Sequence, residues 1–136
     1  MEYTVDYFLN KFSSIPEELW TWGNFELNGQ SCAAGHCGIR DANKLNAEAN
    51  SLIELFSKLK LSPVFGVSFY GNKLYDTVAV INDGHCAEYN QETPKKRILA
   101  ALNDVKKMQE PKPKEIIRYV AVPETIKEQE KELVLN

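Results

Sequence analysis

The sequence predicts a helix-rich α+β domain, an expectation that rests on three observations. Apolar residues recur at helical spacing in three segments, with Val5, Phe8, Leu9 and Phe12 as the first example. Helix-capping residues stand at the edges of such segments, most plainly Thr93 followed by Pro94. Two runs, Val64–Tyr70 and Val78–Ile81, are rich in β-branched and aromatic residues and suggest a small antiparallel sheet beside four core helices. The 136 residues are 43% apolar and 26% charged, enough for one compact core of ordinary globular composition.

The first helix is expected over 4–13, where the apolar stripe ends at Ser13-Ser14-Ile15-Pro16. Pro16 disfavours helix at the residue before it and allows a new turn at Glu17. Trp20, Trp22 and Phe25 then supply bulky apolar surface, and Asn28-Gly29 signals a turn. A short helix of small residues is expected near 31–39, with Ser31 as its N-cap and Cys32 as its first residue. Its glycines lower helix propensity, which makes sense if another element packs close to it.

The third helix is expected over 43–59, on a stripe of Leu45, Ala49, Leu52, Ile53, Phe56 and Leu59, with Lys58 and Lys60 near its end. Strands are expected at 63–70 and 76–81 with Gly71-Asn72 between them, although a loop and a short buried helix fit the same positions. The fourth helix, 94–108, presents Ile98, Leu99, Leu102 and Val105. Pro111-Lys112-Pro113 closes this core domain at about residue 110. A third strand at 116–122 and a polar terminal helix form an extension over 111–136. The chain shows no internal repeat and no low-complexity tract.

Composition narrows the function classes. The net charge of −3 argues against nucleic acid as the main ligand. No apolar run approaches the roughly 18 residues that span a bilayer, so no membrane association is expected. Three cysteines, with no basic and apolar leader at the N-terminus, suggest reduced thiols in the cytoplasm. Gly35 and Gly38 fit neither a phosphate loop nor a dinucleotide fingerprint, and no cofactor is expected.

Two patches carry a family resemblance. One is Trp20-Thr21-Trp22-Gly23, then Gly29, then Cys32-Ala33-Ala34-Gly35; the other is Val78-Ala79-Val80-Ile81-Asn82-Asp83, then Thr93 and Ile98–Val105. In order and spacing they resemble a family of short bacterial and phage domains of unknown function. That family shows Trp-x-x-Gly, a Cys-x-x-Gly helix start, an Asn-Asp pair and a Thr-capped helix. The resemblance covers roughly Leu19 to Val105. Here Ile81 stands where the family usually has tryptophan, and the Gly84–Glu92 loop is longer and holds His85 and Cys86. The resemblance implies a single core, and a phage or mobile-element origin, but brings no activity.

The chemistry-bearing residues are Cys32, His36, Cys37, Asp83, His85 and Cys86, and three readings compete for them. In the first, the cysteines are small core residues and Asn82-Asp83 is a polar hinge that caps a neighbouring turn. In the second, Cys32 at a helix start is a thiolate nucleophile of papain-like order, with His85 as base, Asp83 or Asn82 as its orienter and Gln30 as oxyanion donor. In the third, Cys32, His36, His85 and Cys86 hold a structural zinc ion. For binding, Trp20, Trp22 and Phe25 offer a stacking surface. Lys96 and Arg97, in the run Lys95-Lys96-Arg97, offer a contact for phosphate or an acidic partner, and Asn82 a polar contact. The function expected is a small cytosolic binding or adaptor domain with a protein partner. A thiol hydrolase using Cys32 and a zinc-stabilised domain are the alternatives.

Overall fold

The computed structural model describes residues 2–111, and the expected strand at 116–122 and terminal helix lie outside them. Helix α1, Val5–Ser13, starts at Thr4, whose Oγ1 accepts a hydrogen bond from the Tyr7 N–H at 3.1 Å. Its stripe of Val5, Phe8 and Phe12 is buried, with Leu9 packed at its margin. Pro16 leads into a single 3-10 turn, Glu17–Leu19. Asn28 and Gly29, at φ 53° and 83°, then turn a two-residue hairpin that pairs β1, Glu26–Leu27, with β2, Gln30–Ser31.

The small-residue helix α2 spans Ala33–His36, and its N-cap is Cys32 rather than Ser31. Helix α3, Ala47–Phe56, is shorter than expected. Asn46 caps it with Oδ1 on the Ala49 N–H, and its Nδ2 donates to the Cys37 carbonyl oxygen at 2.7 Å. Leu45 therefore precedes the helix, and Lys58 and Lys60 follow it. Helix α5, Pro94–Gln109, has the expected Thr93 cap with Pro94 in its first turn. It buries Ile98, Ala101, Leu102 and Val105 and packs on α1, α3 and the helical segment 75–82.

The sheet expected from 63–70 and 76–81 does not form, and the antiparallel pair of this α+β fold is the β1–β2 hairpin. Residues 76–81 belong to helix α4, made of a π-helical turn, Tyr75–Ala79, that runs into an α-helical turn, Val80–Asn82. Leu74, Val78, Ile81 and Asn82, at i, i+4, i+7 and i+8, are buried on one face, and Val80 is buried beside them at 6% exposed. Burial on one helical face thus outweighs the strand preference of the β-branched run. Gly84, at φ 77°, ends α4: its N–H reaches the Ile81 carbonyl oxygen and the His85 N–H that of Val80.

The segment 63–70 is a loop joined to the chain near Cys86 by one bridge at Pro63. Its far end is held by Asp76, whose two carboxylate oxygens accept the Tyr70 and Gly71 N–H groups at 2.8 and 2.7 Å. The backbone is thereby satisfied by a side chain instead of a strand partner, and Phe65 and Tyr70 project to solvent. Among the described residues, no helix is long and apolar enough to cross a membrane.

Candidate functional site

The residues singled out in the sequence converge on the junction of α2, α4 and the turn after Trp20, but they do so largely in the interior. Asn82 is 0% exposed. Its Oδ1 accepts the Ala33 N–H at 3.0 Å, and its Nδ2 donates to the Thr21 carbonyl oxygen and to Asp83 Oδ1. Arg97, 9% exposed, donates to the carbonyl oxygens of Ile81, Asn82 and Gln91, so its guanidinium closes the C-terminal end of α4. Arg97 was expected at a binding surface, and Asn82 either there or as a capping hinge; both satisfy buried backbone, because a helix end inside a domain needs donors and acceptors there. Burial lowers the pKa of Arg97, while the Asp83 charge opposes that shift.

Gly35 explains the small-residue helix. A Cβ at this position would lie 1.8 Å from the Phe25 carbonyl oxygen, so α2 and the β1 approach close on each other at backbone contact. Trp20, 4% exposed, fills the core beside Phe12 and packs edge-on against His36. Trp22 is 63% exposed and Phe25 partly buried, so the expected aromatic surface is split between core and solvent. Lys96 is exposed, with its backbone N–H on the Thr93 cap.

Cys32 is 7% exposed, and its Sγ accepts the Gly35 N–H at 3.4 Å. Burial raises its pKa, the Gly35 and Ala34 N–H groups oppose that shift, and the Asp83 charge adds to it. A nucleophile needs the reverse. His85 is exposed and forms no hydrogen bond with Cys32, while Asp83 Oδ1 is committed to the Gly23 N–H and Asn82 Nδ2. Gln30 Nε2 donates to the Glu18 carbonyl oxygen. Burial also holds Cys37 up at about 12, and all three thiols are free. Cys86 Sγ faces Glu88 at 3.0 Å and His36 lies on Trp20, so the four proposed zinc ligands have separate surroundings. Among the described residues, no three of His, Cys, Asp and Glu are grouped to hold a metal ion.

The open surface nearby is a cleft that sequence reasoning did not single out. It has a volume of about 410 Å³ and lies between the 67–72 loop and α4, with Phe69, Tyr70, Tyr75, Ala79 and Val80 among its walls. Its ionisable lining groups include Asp76, Asp83 and His85. A smaller hollow on the other side of Tyr75, Ala79 and Asp83 reaches Gly23, Phe25 and Cys32. Residues 75, 79 and 83 therefore form a ridge at i, i+4 and i+8 that both depressions share. The aromatic residues Phe65, Phe69, Tyr70 and Tyr75 are the signal in the sequence for this cleft, and for 63–70 it fits the loop alternative and not the strand. Comparison of the chain with known protein families, with curated proteins and with solved structures gave no match.

Proposed function

We propose that this chain is a non-catalytic binding domain whose working surface is the cleft between the 67–72 loop and α4. One observation carries the reading: exposed aromatic side chains, Phe69, Tyr70 and Tyr75, line a concavity of about 410 Å³ together with the Asp76 and Asp83 carboxylates. That volume falls within the range of small-molecule sites, which combine apolar walls with few polar groups. The π-helical turn Tyr75–Ala79 lies in its wall, and such turns are frequent at functional sites. The small-ligand shape replaces the flat aromatic platform at Trp20–Phe25 that a protein partner was expected to use.

The test is a titration followed by amide NMR, with 2-phenylethylammonium, 2-phenylethanol and phenylacetate as probes. At least one probe is expected to shift the amides of Tyr75, Ala79 and Asp83 together, and Tyr75→Ala to weaken that probe. If none of the three perturbs these residues, the cleft reading is overturned. Iodoacetamide at neutral pH supplies the contrast with catalysis. Slow labelling of Cys32 fits a binding domain, whereas selective rapid labelling would favour the thiol-hydrolase reading.

A further inference from the structure

Resting on that reading of the cleft, we infer that its ligand is a small organic ammonium, with an aromatic or alkyl body against Tyr75 and a cationic head at the Asp83 carboxylate. Among the described residues, the lining contains two carboxylates and one histidine, His85, and neither lysine nor arginine. The two carboxylates differ in what they have left to offer. Asp76 spends both oxygens on the Tyr70 and Gly71 N–H groups and serves the loop. Asp83 spends only Oδ1, on Gly23 and Asn82, and its Oδ2 takes no hydrogen bond from the described residues.

Arg97 interacts with this charge through space without pairing with the carboxylate. Its guanidinium is taken up by backbone carbonyl oxygens and forms no ion pair with Asp83. The carboxylate thus lines the cleft with one oxygen that accepts from no described residue, while its other oxygen is fixed by two donors that orient the group.

Aromatic faces add a second attraction for the same kind of ligand. The rings of Tyr70 and Tyr75 meet edge to face at 6.1 Å between centroids, and both remain open to solvent. Their electron-rich faces attract a cation and repel an anion. The overall charge of −3 acts in the same direction on approach. An anionic ligand would meet two carboxylates with neither lysine nor arginine among the described lining residues, and a neutral one would leave Asp83 Oδ2 without a charged partner.

The three probes of the same aromatic body separate these cases on the intact chain. 2-Phenylethylammonium is expected to bind about tenfold or more tightly than 2-phenylethanol, the scale of one charge-assisted hydrogen bond. Phenylacetate is expected to bind more weakly still. Asp83→Asn keeps an oxygen for Gly23 and Asn82 and removes the charge, so it should erase the preference for the ammonium while leaving the weaker binding of the alcohol. Equal binding of ammonium and alcohol, or a preference unchanged in Asp83→Asn, overturns the inference but leaves the cleft as a binding site. Absence of all binding removes the cleft reading itself. A fold check by amide spectrum on Asp83→Asn keeps the comparison sound: a native-like spectrum with the preference intact is the decisive contrary result.

Discussion

The side-chain oxygen Oδ1 of Asn82 accepts the backbone N–H of Ala33 at 3.0 Å, across 49 residues of sequence. This bond joins the C-terminal turn of α4 to the first residue of α2. The Nδ2 group extends it to the Thr21 carbonyl oxygen and to Asp83, whose Oδ1 in turn takes the Gly23 N–H. One buried amide thereby fixes three chain segments and sets the position of the Asp83 carboxylate at the cleft edge. The site is on a loop-facing helix end, but its support is a satisfied polar network in the core.

Asn82→Ala removes one acceptor and two donations and leaves the Ala33 N–H buried without a partner. A loss of about 2–3 kcal/mol in unfolding free energy is expected, on the scale of unsatisfied buried groups. Asn82→Asp should cost more, because it sets a second carboxylate oxygen where Nδ2 now lies 2.9 Å from Asp83 Oδ1. Urea unfolding of the two variants checks the order; a milder effect for the Asp variant would show that the Nδ2–Asp83 bond contributes little.

Gly35→Ala is expected to destabilise by at least about 3 kcal/mol, since the neighbour 1.8 Å from the new Cβ is backbone and has no rotamer to move. Gly23→Ala is the matched control. Gly23 has φ 79° with open space around it, so only the left-handed backbone penalty of about 1 kcal/mol applies. Thermal unfolding of both variants compares close approach with conformation, and equal losses would refute the close-packing account of α2.

His36 packs on Trp20 with its Nε2 buried and without a hydrogen-bond partner. Burial lowers its pKa below the ordinary 6.5, helped by the positive charges of Lys11 and Arg40 and opposed by the Leu19 and Ser31 carbonyl oxygens. Protonation therefore favours the unfolded chain. The His36 contribution to stability is fully present above pH 6.5 and is lost as pH falls through the lowered folded value. The urea midpoint should decline as pH falls below 6.5, and His36→Gln should flatten that decline. An identical slope in the variant would assign the pH dependence to other groups.

Glu88 fastens the start of the 62–72 loop. Its Oε1 accepts from the Ser62 N–H at 2.8 Å and from Cys86 Sγ at 3.0 Å, and its Oε2 accepts from Ser62 Oγ at 2.9 Å. The Cys86 bond and the Ser62 N–H are the main causes that lower its pKa from 4.5 to about 2. The fastening is complete above pH 4.5 and is lost as pH falls through about 2. Glu88→Gln should loosen the start of the loop at neutral pH, seen as faster amide hydrogen exchange at Ser62 and Val64. Unchanged exchange would place the anchorage of this end in the Pro63 bridge.

The helices with regular stripes were legible because their information is local. Thr93-Pro94 fixes the start of α5, and the 3.6-residue period of α1 and α5 names the buried side chains directly. Asn28-Gly29 was readable as a turn for the same reason, since the positive φ at both positions is a property of those two residues. Val78–Ile81 was not, because its β-branched composition suits a strand while its buried positions follow a helical face. The spacing of Leu74, Val78 and Ile81, with Gly84 after them, held the helical alternative.

The sequence by itself determined a helix-rich α+β core, its strongest caps and the small-residue character of α2. It also singled out Cys32 and Asp83 in one constellation of chemistry-bearing residues, and Asn82 and Arg97 as separate binding candidates. Tertiary structure alone decided their roles: Asn82 and Arg97 went inward, Cys32 became a buried cap, and Asp83 was left with one oxygen at an aromatic cleft. The physical reason is that a periodicity reports which face is apolar, whereas the partner of a polar atom depends on which distant backbone group comes within about 3 Å of it after packing.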